Sequence, residues 1–275
     1  MHEGPLPTPQ PHGASRDARI GVFDSGVGGL SVLKALRSSL PGVGFHYVAD
    51  SGHAPYGPRT TEEILARSLA IGAHLIASGA ALIVVACNTA TAHAVAALRA
   101  RWPELPIVGI EPGIKPAVQA TRNGRIAVMA TQATVESERY RQLIATHGGD
   151  VKVHSQACPG LVDRIETGQL DDPELQALLQ RYCDQVRDSG ADTVLLGCTH
   201  FPFIQDRIER ELGPSVTVLN TEGAVARQAR KRWDELSLPS GADDVRLQST
   251  GDPAPLARMA SLALGSAQQA EHVEI

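Results

Sequence analysis

The chain has 275 residues, 43% of them hydrophobic and 20% charged, with a formal net charge of −5, the composition of a globular protein with a substantial core. No positive field is present to draw a nucleic acid or an anionic lipid surface. The longest apolar run, Ala80 to Cys87, falls far short of the roughly 20 residues that cross a bilayer, so neither nucleic acid nor membrane is an expected partner.

Residues 1–17 are proline-rich and carry little apolar content. They lack the basic start and apolar stretch of a signal peptide, and read as a flexible tail on a cytoplasmic protein. Ala18 to Asp24 reads as a short buried strand. The turn Gly26-Val27-Gly28-Gly29 follows, then a helical pattern through Leu30, Leu33, Leu36 and Leu40. Backbone N–H groups at such a junction suit an anion, phosphate or carboxylate. The glycine spacing is not that of a dinucleotide fold, no Walker lysine follows, and Asp24 would repel a phosphate, so a nucleotide is not expected.

Gly44 to Ala49 is the second predicted strand. Beyond the loop that carries Pro55-Tyr56-Gly57, Thr60 and Glu63 have the spacing of a capping box for a helix reaching Ser78. Ala81 to Ala86 is a third strand, continuously apolar as a parallel strand covered on both faces should be. Helix Ala90 to Ala100 and strand Pro106 to Ile110 follow. The second half opens near Gly113. Its predicted elements are a strand from Arg125 to Ala130, a helix Val135 to His147, a strand Val151 to His154, helices Leu161 to Glu166 and Pro173 to Asp188, and strands Thr193 to Leu196 and Val216 to Leu219. Helix Glu222 to Leu236, strand Val245 to Gln248 and helix Pro255 to Leu264 close the chain.

The alternation predicts an α/β protein with mainly parallel sheets flanked by helices. Arg125-Ile126-Ala127-Val128 echoes Arg19-Ile20-Gly21-Val22, and each strand end precedes a cysteine by a similar interval, 63 positions from Asp24 to Cys87 and 68 from Ala130 to Cys198. This suggests an internal duplication. Two pseudo-symmetric domains with the active site in the cleft between them are therefore preferred over one closed barrel: residues 18–112 with 220–275, and residues 113–219.

Four cysteines, Cys87, Cys158, Cys183 and Cys198, show no C-x-x-C spacing and no zinc-type ligand set. Free thiols and no metal are expected. Asp24, Cys87 and Cys198 each follow directly on an apolar run, and the carboxyl ends of parallel strands gather on one edge. Each alone could be a cap or core filler. Together, with the small polar followers Asn88-Thr89 and Thr199-His200, they favour chemistry.

Two opposed thiols suit inversion at a carbon acid, where a base on one face removes a proton and an acid on the other returns one. No cofactor is then required. A thiol needs tuning from about 8.5 to act near neutrality, and an imidazolium at His200 would favour thiolate at Cys198, whereas the Asp24 carboxylate would hold Cys87 as thiol. Ser25, Asn88, Thr89, Thr131, Thr134 and Thr199 are neutral groups at strand ends suited to binding carboxylates, and Tyr56 could close the pocket.

Phe23-Asp24-Ser25-Gly26-Val27-Gly28-Gly29, Pro55-Tyr56-Gly57, Ala86-Cys87-Asn88-Thr89-Ala90-Thr91, Glu111-Pro112 with Lys115-Pro116-Ala117, and Leu196-Gly197-Cys198-Thr199-His200-Phe201-Pro202 together resemble the glutamate racemases, in order, from about Ala18 to Leu264. The resemblance implies a cofactor-independent isomerase that interconverts L- and D-glutamate and supplies D-glutamate to peptidoglycan. It implies that Cys87 acts on D-glutamate and Cys198 on L-glutamate, with Asp24, His200 and Glu166 as supporting acid-base residues. Substrate contacts are implied at Asp24, Ser25, Tyr56, Gly57, Asn88, Thr89, Thr199 and His200, and a homodimer is expected. Asn220-Thr221 stands where many relatives carry Asp-Ser. Aspartate racemase is the nearest alternative, but it is linked with Glu at the position of His200. A noncatalytic amino-acid-binding module is the alternative from another class.

Overall fold

The computed structural model describes residues 18–238 and 243–275. The expected tail, residues 1–17, lies outside the described residues. Among the described residues ten strands alternate with helices: β1 (Arg19–Asp24), β2 (Gly44–Ala49), β3 (Ala80–Val85), β4 (Ile107–Gly109), β5 (Arg125–Ala130), β6 (Lys152–Ala157), β7 (Thr193–Leu196), β8 (Thr217–Leu219), β9 (Val245–Ser249) and β10 (Glu271–His272). They form a six-stranded sheet of order β10-β9-β2-β1-β3-β4 and a four-stranded sheet of order β6-β5-β7-β8. Every pairing is parallel.

The order β2-β1-β3-β4 in the first sheet is the order β6-β5-β7-β8 in the second, so the repeat suggested by the two Arg-initiated strands extends to topology. Register makes the match residue by residue. Phe23 pairs with Val85 in one sheet and Met129 with Leu196 in the other. Cys87 and Cys198 each stand two residues beyond these partners, so they occupy corresponding places. Asp24 corresponds to Ala130, and Ser25 to Thr131.

The central strands are apolar because both faces are covered. Phe23, Val85 and Ile83 pack in one buried cluster with Leu75 and Leu98 from the flanking helices, while Val22 and Val84 face another with Leu30, Leu33 and Trp233. Full burial of side chains of this size stabilises by about 1.5–3 kcal/mol each, and it anchors the strand ends that carry Asp24 and Cys87. The capping box is present at the helix Thr61–Ala77: Thr60 Oγ1 accepts the Glu63 N–H at 3.2 Å and Glu63 Oε2 accepts the Thr60 N–H at 2.8 Å.

Some expected elements differ. The helix expected over Val135 to His147 is two helices, Gln132–Glu136 and Glu138–His147. Ser137 separates them in an extended conformation, with ψ 144°. Its hydroxyl accepts the Tyr140 N–H at 3.1 Å and donates to the Thr134 carbonyl at 2.8 Å, capping one helix while closing the other. The strand expected to end at His154 continues to Ala157. Helices Ile114–Ala120 and Gln205–Leu212 go beyond the expected elements.

Candidate active site

Cys87 ends the run of β3 and caps the helix Asn88–Arg101, its sulfur accepting the Ala90 N–H at 3.4 Å. Its thiol also points at the Ser25 hydroxyl, 3.9 Å away. Burial and the nearby Asp24 carboxylate push the Cys87 thiol well above its ordinary value, so it stays protonated at neutral pH.

Cys198 lies in the same position relative to β7, and its sulfur is 3.7 Å from His200 Nδ1. The other ring nitrogen, Nε2, meets Glu166 Oε1 in a tight ion pair. Burial alone would strip the proton from His200, but the Glu166 carboxylate and the Cys198 sulfur outweigh it and hold the imidazole protonated well above its usual range. Its Nδ1 faces the Cys198 sulfur, within reach for a proton to pass between them.

The glycine-rich turn has a different role from the one its sequence suggests. The anion at this junction is internal, because Glu166 Oε1 accepts the Val27 N–H at 2.9 Å. A Cβ at Gly26 would lie 1.9 Å from that same oxygen, and one at Gly28 would lie 2.4 Å from His200 Nδ1. The glycines are small so that the Glu166–His200 pair of the second sheet can seat against the first. Asp24 joins the same seam. It is fully buried, accepts the Ser25 hydroxyl and Gly26 N–H at 3.0 Å each, and accepts the Thr199 hydroxyl at 2.7 Å. Burial raises its pKa, partly offset by His200 and by the Thr199 hydrogen bond.

A narrow cavity of about 10 Å³, room for roughly one water, lies between the two cysteines, so the walls stand closed together here, well short of an open ligand site. The structure brings Ser25, Tyr56, Gly57, Cys87, Asn88, Thr89, Thr131, Cys198, Thr199 and His200 to its wall, drawn from both sheets. Asp24, Thr134 and Glu166 are brought to the site but stand behind that wall, supporting Thr199, Thr89 and His200 respectively. Thr89 Oγ1 is 2.9 Å from Thr131 Oγ1 and 3.2 Å from Thr134 Oγ1, so three hydroxyls share one corner. Asn88 is buried at the wall, and neither its amide oxygen nor its nitrogen has a partner among the described residues. The Tyr56 hydroxyl is already committed to Asp50 at 2.6 Å, leaving the ring to line the cavity. Pro55, Val162 and Gly197 complete the wall. Pro55 and Gly197 adjoin named site residues in sequence, but nothing local to Val162 marks it.

A protein-family model described as Asp/Glu/Hydantoin racemase matches residues 20–229. The chain belongs to this family. It is 49% identical over 226 residues to the glutamate racemase of Pseudomonas syringae, covering 82% of each chain. Among solved structures, a glutamate racemase isoform of Bacillus anthracis superposes with a TM-score of 0.84 at 30% identity, covering 95% of this chain and 99% of that one. The Escherichia coli glutamate racemase in complex with L-glutamate gives a TM-score of 0.82 at 30% identity, over 93% and 98%. The racemase fold thus accounts for both parallel sheets.

Proposed function

We propose that this chain interconverts L- and D-glutamate by two-thiol proton transfer at the α-carbon. The observation that carries the reading is the register match: two cysteines in corresponding strand-end positions line one cavity from opposite sheets. In the L-to-D direction the Cys198 thiolate takes the α-proton, breaking C–H and forming S–H, and the electron pair remains on the α-carbon next to the carboxylate. The Cys87 thiol then gives its proton to the opposite face. One proton leaves and one arrives, so the step balances without a redox partner or an added group. The reverse direction exchanges the two roles.

His200 and Glu166 serve the Cys198 side by holding a proton near the sulfur, and Asp24 serves the Cys87 side by keeping that thiol protonated. Asn88 and the wall threonines Thr89, Thr131 and Thr199 offer donors and acceptors for the substrate's carboxylates and amino group, which accords with the relatives named glutamate racemase. The domain limits proposed are residues 18–112 with 220–275, and residues 113–219. No described helix is long and apolar enough to cross a membrane, which together with four free buried cysteines supports a cytoplasmic setting. A homodimer rests on the resemblance alone, and sedimentation measures it.

The test is incubation with L-glutamate in deuterated water, following the α-proton by NMR and optical rotation together. Loss of both signals is expected; Cys198→Ala abolishes both, whereas Cys87→Ala abolishes the decay of rotation and leaves only slow α-proton exchange by Cys198. Exchange of L-aspartate in place of L-glutamate would overturn the substrate, and exchange of neither in a folded, reduced protein would overturn the activity.

A further inference from the structure

Arg67 stands outside the cavity on the helix Thr61–Ala77, and no step above uses it. Its guanidinium grips Asp50 as a fork, Nε to Oδ2 at 3.0 Å and Nη2 to Oδ1 at 2.7 Å. Asp50 follows β2 directly and its side chain is 0% exposed. The same carboxylate accepts the Tyr56 hydroxyl at 2.6 Å and the Thr250 hydroxyl at 2.7 Å. Tyr56 in turn forms the cavity wall, so one buried carboxylate connects Arg67 to the space where substrate binds.

Arg67 is itself fastened. Its Nη1 donates to the main-chain oxygen of Ile275 at 2.6 Å, and the Ile275 side chain packs on the apolar cluster beneath the same helix. The segment leading to Ile275 is tied to the first sheet, since β10 pairs with β9 and the Val273 N–H donates to the Ser249 carbonyl at 2.9 Å. On the loop side, Thr250 Oγ1 also accepts the Gly52 N–H at 3.1 Å. Removing Arg67 would leave the buried Asp50 carboxylate with only the part-exposed His53 ring, whose Nδ1 is 3.1 Å from Oδ1, to answer its charge. The carboxylate gains by moving toward water, which draws it away from the Tyr56 hydroxyl, or by taking a proton, which weakens the charge-assisted bond that this hydroxyl donates.

We propose that Arg67 is a positioning residue, acting through Asp50 to fix Tyr56 and the Pro55–Gly57 wall, so that glutamate binding depends on a guanidinium that does not touch substrate. The proposal rests on the racemase reading of the cavity.

The experiment uses the full chain with Arg67→Ala, Arg67→Lys, Tyr56→Phe and the double variant Arg67→Ala/Tyr56→Phe. Arg67→Ala is expected to raise KM for glutamate about tenfold while kcat stays within about twofold. Arg67→Lys recovers part of the loss, and the double variant is no worse than Arg67→Ala alone, because both changes break one chain of contacts. Independently of activity, iodoacetamide labelling of Cys87, read by mass spectrometry, rises about tenfold in Arg67→Ala while Cys158 and Cys183 keep their rates.

A folded Arg67→Ala with unchanged KM and unchanged Cys87 labelling overturns the proposal, as does additivity in the double variant. Faster labelling at Cys158 and Cys183 as well as Cys87 shows general loosening and also overturns it. Should Arg67→Ala not fold, Tyr56→Phe decides: it must raise KM and Cys87 labelling, and no change in either counts against the proposal. If the unmodified chain does not racemise glutamate, the racemase reading fails on that result, and the Cys87 labelling arm still reads whether Arg67 holds the wall.

Discussion

Asp24 at the end of β1 and Thr199 beyond β7 are 175 residues apart in sequence, and their side chains meet at 2.7 Å with Thr199 donating to Oδ2. This bond joins the two sheets at the floor of the cavity. Thr199→Val keeps the shape and removes the donor, leaving a buried carboxylate oxygen short of a partner, at a cost of about 1–3 kcal/mol. Urea unfolding measures that loss. A cycle with Asp24→Asn should show coupling between the two positions, and strict additivity would count against the bond.

Each thiol serves one enantiomer in the proposed reaction, so losing one should leave half of the chemistry. Cys198→Ala is expected to lose racemisation by about 10³-fold or more. The remaining Cys87 can still remove the α-proton of D-glutamate and return a solvent deuteron to the same face. NMR should therefore show slow deuterium entry into D-glutamate without inversion, and none into L-glutamate. Equal entry into both enantiomers would contradict the assignment of faces.

Protonation of His200 links the site to stability. Burial opposes the charge, but Glu166 and Cys198 raise the folded pKa above the unfolded value, which is about 6.5. The resulting stabilisation is complete below the unfolded value and is lost as pH rises through the higher folded one. The urea midpoint of the unmodified chain should accordingly fall more steeply on the alkaline side of pH 6.5 than that of His200→Gln. Parallel profiles for the two proteins would show that the imidazolium contributes nothing.

The seat for His200 is the missing side chain of Gly28, where an added Cβ would stand 2.4 Å from the ring nitrogen that faces Cys198. Gly28→Ala should displace the imidazole and destabilise the fold by about 1–3 kcal/mol. Its kcat should fall by at least about tenfold, measured by steady-state kinetics with circular dichroism to confirm folding. Retention of full kcat would show that His200 need not occupy this seat.

Much of the fold was legible because parallel strands covered on both faces announce themselves as apolar runs, and because the two Arg-initiated strands made the repeat visible. The capping box at Thr60 and Glu63 marked one helix start to the residue. Ser137 was harder to read, since an N-cap buried inside a continuous helical pattern looks like one more polar residue. The helix Ile114–Ala120 was hidden by Pro116, which a first turn tolerates.

In the site, the residues at strand ends were readable from position alone. The layering was not: Asp24 and Thr134 look like substrate groups in sequence but stand behind the wall. The real occupant of the glycine-rich turn, Glu166, comes from a helix 139 residues away, and no local pattern connects the two.

The sheets repeat, yet Asp24 has Ala130 as its counterpart, and only Cys198 has a His two residues on. Mirror-image substrates nevertheless have equal free energy in achiral water, so the equilibrium constant between them is unity whatever the protein does. The ratio kcat/KM must then be the same from either enantiomer. The unlike surroundings of the two sulfurs are free to show themselves only once substrate saturates, as unequal kcat values matched by KM values unequal in the same proportion.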